Sequence, residues 1–182
     1  MGAMAREIPY FAYGTLQVGF ANHAPYAELL GDRVARARTA DAYAVVVPKQ
    51  PSCSNPGCPL LHRMAALVSG VEPFRVEGDL FMLEPDALLE LDRLEGLSDG
   101  ALGPYVRGQI DVVALDGASS WRATGYPARE PERWRALLDR GDADALSEYD
   151  ASLSTGATSK PCCVRSPGHS GPHDVIDPLS VD

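Results

Sequence analysis

Apolar residues gather into short runs along this chain, set apart by polar turns, glycines and prolines. Ile8 to Tyr13 is an apolar and aromatic run that stops at Gly14, the pattern of a buried strand leaving into a turn. Asn22 to Leu30 starts on an asparagine and ends with Leu29–Leu30 before Gly31, which predicts a short helix. Tyr43 to Val47 is β-branched and closed by Pro48, a second strand. Gln50 to Leu60 carries Pro51, Pro56, Gly57 and Pro59, which no regular element tolerates, so it is a long loop or insertion. Arg75 to Leu83 predicts another strand. Pro85 then opens the clearest helix: proline suits the first helical position, Asp86 suits the positive end of the dipole, and Gly96 closes it.

Tyr105 to Leu115 alternates polar and apolar residues, as a half-buried strand does, and Asp116–Gly117 turns it into a partner around Trp121 to Tyr126. Pro131 starts a helical stretch expected to run, with a break near Gly141, to about Leu153. Residues 154–182 are rich in Gly, Pro and Ser and lack apolar periodicity, so on their own they are expected to be disordered. Strands outnumber helices and most connections are short. The fold class is therefore α+β with a largely antiparallel sheet, a small barrel among the options. Residues 1–153 read as one domain and 154–182 as a C-terminal tail.

Composition narrows the function. A chain of 182 residues with 45% hydrophobic content can bury a sizeable core without staples. The net charge of −9 lacks the basic face that phosphate demands, so neither nucleic acid nor anionic lipid is an expected partner. Nothing approaches 18 uninterrupted apolar residues, and Met1 to Ile8 lacks the apolar core of a secretion signal. A cytoplasmic location is expected. Oligomeric state is not legible.

Chemistry first shows on the 85–96 helix. At 100° per residue Ala87, Leu88, Leu91 and Leu94 form one stripe, and Glu95, four residues after Leu91, falls on it. Desolvation and the negative end of the helix dipole would both raise its pKa, as a general acid/base near neutral pH requires. The plainer alternative is a glutamate that snorkels at a frayed helix end, or pairs with Arg93 or Arg107. The second feature is Tyr13-Gly14-Thr15-Leu16, a glycine turn just past a buried strand. Successive N–H groups in such a turn can hold a carboxylate or an oxyanion, although most such turns are only turns. No phosphate-cradling glycine loop and no Gly-x-Ser-x-Gly elbow are present, and His23 and His62 have no Ser or Cys partner in a catalytic spacing.

Taken in order, Phe11-Ala12-Tyr13-Gly14-Thr15-Leu16-Gln17 with Asn22-His23, Val76-Glu77-Gly78-Asp79-Leu80, Leu91-Asp92-Arg93-Leu94-Glu95-Gly96 and Tyr105-Val106-Arg107 resemble the γ-glutamylcyclotransferase superfamily, closest to its γ-glutamylamine cyclotransferase-like branch. The resemblance covers roughly residues 8 to 127. It implies a small, mostly antiparallel barrel flanked by helices, with a cavity at one end. It implies a cofactor-independent intramolecular aminolysis of a small γ-glutamyl amine or amide, in which the substrate's α-amine attacks its own γ-carbonyl to give 5-oxoproline and a free amine. Glu95 would be the acid/base, and the amides of Tyr13, Gly14, Thr15 and Leu16 would hold the glutamyl group. Tyr105 and Arg107 match the family's Tyr-x-Arg, and Tyr126 sits where a later aromatic lines the pocket; core packing and an ion pair are the structural alternatives for the first two. The family includes amino-acid-salvage enzymes and tailoring enzymes that remove a γ-glutamyl protecting group from antibiotic intermediates. A non-catalytic module of the same fold, holding a small acid, is the competing reading.

The 50–62 loop and the tail depart from the family pattern, and both carry candidate metal ligands. Cys53 and Cys58 lie in the loop, with Cys162, Cys163, His169 and His173 in the tail. Two thiols and a His-x3-His spacing fall within the range of structural zinc sites, and a Cys2His2 or Cys3His site would order both segments by bringing them together. The alternative is ordinary thiols, or a disulfide formed on air oxidation. A cytosolic chain keeps such thiols reduced.

Overall fold

The computed structural model describes residues 7–20, 22–49, 65–97 and 104–149. Along these residues the elements are β1 (Ile8–Ala12), α1 (His23–Leu30), β2 (Ala35–Thr39), β3 (Tyr43–Pro48), β4 (Ala66–Ser69), β5 (Glu77–Leu83), α2 (Pro85–Leu94), β6 (Gly108–Ala114), β7 (Ser120–Gly125), α3 (Pro131–Asp139) and β8 (Ala143–Leu146). Five strands close a barrel in the order β1-β5-β2-β6-β7, and a second sheet runs β4-β3-β8. Every barrel pairing is antiparallel except the seam, where β1 meets β7 in parallel at Tyr10 and Thr124. The expected α+β class with a small, mostly antiparallel barrel flanked by helices is the fold observed.

β3 explains why its sequence is an unbroken apolar run rather than an alternating one. Val45 and Val47 enter the core that fills the barrel beside Phe11, Leu80 and Ile110, while Ala44 and Val46 enter a second core with Trp134 and Leu137 of α3. A strand buried on both faces has no polar side to show. The stripe of α2 packs as its spacing predicts: Ala87, Leu88 and Leu91 lie against Phe81 and Leu83 of the barrel wall.

Gly78 of β5 is where the barrel wall pinches. A Cβ there would stand 2.3 Å from the Ala12 carbonyl oxygen and 2.7 Å from the Phe11 ring. Its neighbour Asp79 is 1% exposed, accepts a 2.7 Å hydrogen bond from the Val18 N–H, and pairs with Arg33 at 3.2 Å. The barrel thereby stakes down the turn that follows β1. Replacing Asp79 by alanine leaves the Val18 N–H without its partly buried acceptor and frees Arg33. A loss of about 2–4 kcal/mol is expected, read as a lower denaturant midpoint, together with weaker substrate binding as the turn loosens.

Three expectations are corrected. The helical stretch from Pro131 ends at Asp139; Gly141, at φ 76°, reverses the chain, and Ala143–Leu146 becomes strand β8 paired antiparallel to β3. Helix propensity in Ala-Asp-Ala-Leu gives way to an open edge of β3 that needs its hydrogen bonds met. The 105–115 run is shorter as a strand, because β6 begins at Gly108 and Tyr105 makes only an isolated bridge to Ala128. The strand expected from Arg75 begins at Glu77. Loop 50–62, residues 154–182 and the boundary at 153 lie outside the described residues, and with them Cys53, Cys58, Cys162, Cys163, His169 and His173. Among the described residues no cluster could hold a metal ion, and no helix is long and apolar enough to cross a membrane.

Candidate active site

A cavity of about 220 Å³ opens beside the β1–β7 seam. Among the described residues one carboxylate, Glu95, lines it, along with the turn at Gly14, Thr15 and Leu16 and the rings of Tyr10, Tyr13, Tyr105, Tyr126 and Tyr149.

Glu95 is held there by the way α2 ends. It is the C-cap residue, Gly96 follows at φ 76°, and the N–H groups of Gly96 and Leu97 return to the carbonyls of Arg93 and Asp92 at 3.1 and 2.8 Å. This paired closure satisfies carbonyls that the helix end leaves open, and the left-handed step falls on the one residue that takes it freely. Burial pushes the Glu95 carboxyl up to about 7. Neither arginine considered as its partner reaches it: Arg93 pairs with Glu90, and the Arg107 Nε donates to Asp92 at 2.9 Å. Among the described residues Glu95 therefore has no cation to hold it ionised.

Asp92, one turn earlier on α2, organises the wall. Its carboxylate accepts from Arg107 and also from the Tyr126 hydroxyl at 2.9 Å. Tyr126 is fixed a second time, since its carbonyl accepts from the Tyr13 hydroxyl at 2.8 Å. Tyr105 donates to the Ala65 carbonyl at 2.8 Å. Arg107 is thus an ion-pair residue rather than a cavity residue, the structural alternative for that position, whereas Tyr105 lines the cavity. The phenols of Tyr10, Tyr13, Tyr105 and Tyr126 are all raised, first by burial and then, among other causes, by the charge of Glu95. The wall therefore stays neutral while Glu95 titrates.

The turn after β1 supplies the dipoles. Gln17 N–H bonds back to the Gly14 carbonyl at 3.1 Å, and Asn22 grips Thr15 through both its backbone N–H (3.1 Å) and its side-chain amide (2.9 Å). The N–H groups of Gly14, Thr15 and Leu16 donate to nothing among the described residues. Gly14 is not in the left-handed region, and a Cβ built on it would meet no atom within 4 Å. The glycine is needed neither for the turn nor for packing; it leaves room over the free amides. Gly14→Ala is expected to raise KM by about tenfold or more while changing Tm by no more than about 2 °C, since alanine at a compatible φ is tolerated.

The candidate residues Tyr13, Gly14, Thr15, Leu16, Glu95, Tyr105 and Tyr126 thus meet in one cavity, although no more than four are adjacent in sequence. Sequence reasoning missed Tyr10, Ala12, Ala65 and Tyr149. The first two had a signal, because alternation along β1 puts Tyr10 and Ala12 on one face leading to Gly14. Ala65 and Tyr149 arrive only through the tertiary fold.

Residues 10–145, well over half of the chain, match the family model described as "Gamma-glutamyl cyclotransferase, AIG2-like". A curated protein of Arabidopsis thaliana named "Putative gamma-glutamylcyclotransferase" is 34% identical over 110 residues, 58% of this chain and 51% of that protein. The chain therefore spans about half the length of that curated relative. The crystal structure of an AIG2-like protein from Mus musculus superposes with a TM-score of 0.60 at 20% identity, over 88% of this chain and 99% of the mouse chain. At that identity the mouse structure speaks for the fold, and the fold is the same. With the family model spanning barrel, turn and Glu95 together, the chain belongs to the gamma-glutamyl cyclotransferase, AIG2-like family.

Proposed function

We propose that this protein is a γ-glutamyl cyclotransferase that releases 5-oxoproline and a free amine from a small γ-glutamyl amine or amide. One observation carries the reading: a desolvated carboxylate shares a single cavity with a run of backbone amides, and among the described residues neither the carboxylate has a cation partner nor the amides an acceptor. Nucleophile and electrophile belong to the same substrate, so the site has to fold the glutamyl chain until its α-amine stands at its own γ-carbonyl. Glu95, as carboxylate, accepts the proton from the α-ammonium. The amine nitrogen then bonds to the γ-carbon, and the bond from that carbon to the leaving nitrogen breaks. The proton on Glu95 passes to the leaving nitrogen, and the freed carboxylate carries the second proton, shed by the ring nitrogen as it becomes an amide, to the departing amine, which leaves as an ammonium with Glu95 back in its starting state. A group with a pKa near 7 serves both transfers. The free amides of Gly14, Thr15 and Leu16 hold the substrate's α-carboxylate, whose charge no lining cation among the described residues neutralises.

A binding module for a small acid would use the same amides. It would have no use for a half-buried, unpaired glutamate, whose ionisation costs free energy and would repel an anion. The test is 5-oxoproline release from a panel of γ-glutamyl dipeptides, a γ-glutamyl-ε-lysine isopeptide and a γ-glutamyl aminoglycoside-like amine. Release from at least one compound is the expected result, and the best substrate separates amino-acid salvage from tailoring of a protected antibiotic intermediate. A folded protein that releases nothing from any of them would favour the binding-module reading.

A further inference from the structure

Five tyrosines line the cavity, and their hydroxyls divide into two kinds. Those of Tyr13, Tyr105 and Tyr126 are committed to the Tyr126 carbonyl, the Ala65 carbonyl and the Asp92 carboxylate. Those of Tyr10 and Tyr149 have no hydrogen-bond partner among the described residues. Tyr10 is 3% exposed. The sealed, unbonded side-chain polar atoms among the described residues belong to Gln17, so the Tyr10 oxygen keeps contact with the cavity space. A phenol this buried ordinarily finds a partner for its O–H, because leaving it unmet costs free energy.

Tyr10 is also the one of the five that lies within a strand. It sits on the seam of the barrel, opposite Phe81 of β5 and Thr124 of β7, with its ring packed edge-on against Tyr126 at 6.1 Å between centroids. A donor carried on a paired strand is pre-aimed in a way that a loop residue is not. Tyr10 packs on Tyr126, whose hydroxyl is held by Asp92 three residues before Glu95, and it shares a core cluster with Leu91 of the same helix. That places it on the Glu95 side of the cavity, and of the two uncommitted phenols only Tyr10 feels the Glu95 charge. The γ-carbonyl must come to that end of the cavity, since the amine deprotonated by Glu95 attacks it.

We propose that the Tyr10 hydroxyl is a substrate-contacting group that donates a hydrogen bond to the γ-carbonyl oxygen, strengthening as that oxygen gains negative charge. The assignment rests on the cyclotransferase reading and adds to it a donor separate from the glycine-turn amides. It also distinguishes Tyr10 from Tyr13, Tyr105 and Tyr126, whose protons are already given to the protein.

The test is Tyr10→Phe in the whole 182-residue chain, which removes one oxygen and leaves the ring. With the best γ-glutamyl substrate of the panel, kcat is expected to fall by about 100-fold or more, in line with loss of one oxyanion donor. KM should stay within about twofold, and Tm should hold or rise, because no protein partner loses its bond. An unchanged kcat in a wild-type background that releases 5-oxoproline overturns the role of Tyr10 and leaves the cyclotransferase reading intact. A raised KM at constant kcat overturns it too, placing the hydroxyl on ground-state binding alone. A Tm lower by several degrees would show the hydroxyl to be structural. Absence of release by the wild-type protein removes the reading and this assignment together.

Discussion

Glu95→Gln is expected to lower 5-oxoproline release by about 100-fold or more while giving a protein that is more stable than the wild type above neutral pH. The two effects share one cause. Burial holds the carboxyl at about 7 against an ordinary value of 4.5. Between those values the folded protein binds more protons than the unfolded chain. Stability is therefore fully present below about 4.5 and is lost as pH rises through about 7. After discounting for the carboxylate's access to cavity water, the loss is on the order of 2 kcal/mol, or about 4–8 °C in Tm for a chain of this size. Glutamine carries no charge and escapes the loss, so melting curves of the two proteins should converge at pH 4 and separate at pH 8. Wild-type kcat/KM should fall on the acid side of about pH 7 as Glu95 takes up its proton, and the residual activity of the variant should lack that limb. Equal release by both proteins would keep the reaction and remove Glu95 from it.

Gly78→Ala should disable the protein by a different route, through the barrel itself. The added carbon would press on the Ala12 carbonyl at 2.3 Å and on two Phe11 ring atoms at 2.7 and 2.8 Å. Neither obstacle can step aside. The Ala12 backbone lies in register with Asp79 on the adjoining strand, and Phe11 is fully enclosed in the barrel core. Overpacking against backbone is expected to cost about 3 kcal/mol or more, and to displace the turn at Gly14 that continues from Ala12. Gly125 provides the comparison. A Cβ there would stand 2.5 Å from the tip of Ile110, a flexible methyl that can rotate away, so Gly125→Ala should cost clearly less. Chemical denaturation of the two variants checks the ranking, and equal midpoints would refute it.

The elements that announced themselves in the sequence are those whose own residues determine their form. β1, β3 and α2 have compact apolar signatures, a proline or glycine at a boundary, and burial that matches the pattern. β2 gave no signal because Ala-Arg-Ala-Arg-Thr buries only the small face of Ala37 and Thr39. Its place between β5 and β6 is secured from outside, by Arg36 reaching Glu77 and Glu148, each at 3.0 Å. β4, at four residues, is too short to show a period, and β8 is a strand only because β3 offers it an edge. In the site, Glu95 and the glycine turn were legible because each breaks a local rule, a charge on an apolar stripe and a glycine at the end of a buried strand. The tyrosine wall broke none. Aromatic residues in strands are ordinary core, and which hydroxyls are bonded and which are spare is decided by partners 34 to 113 residues away.

β3 has a consequence for how the molecule comes apart. Its odd-numbered valines belong to the barrel interior, while Ala44 and Val46 belong to the layer under α3. Neither layer can open without drawing the shared strand out of the other, so the two cores should melt in a single step rather than in sequence. Tyr105, packed against both the α2 side and the α3 side, adds a second rivet at the cavity wall. A cavity built across such a junction has no weaker half to unfold around it. The paired strands in its walls should exchange their amide protons only when the whole protein opens, so the frame of the site is as persistent as the fold.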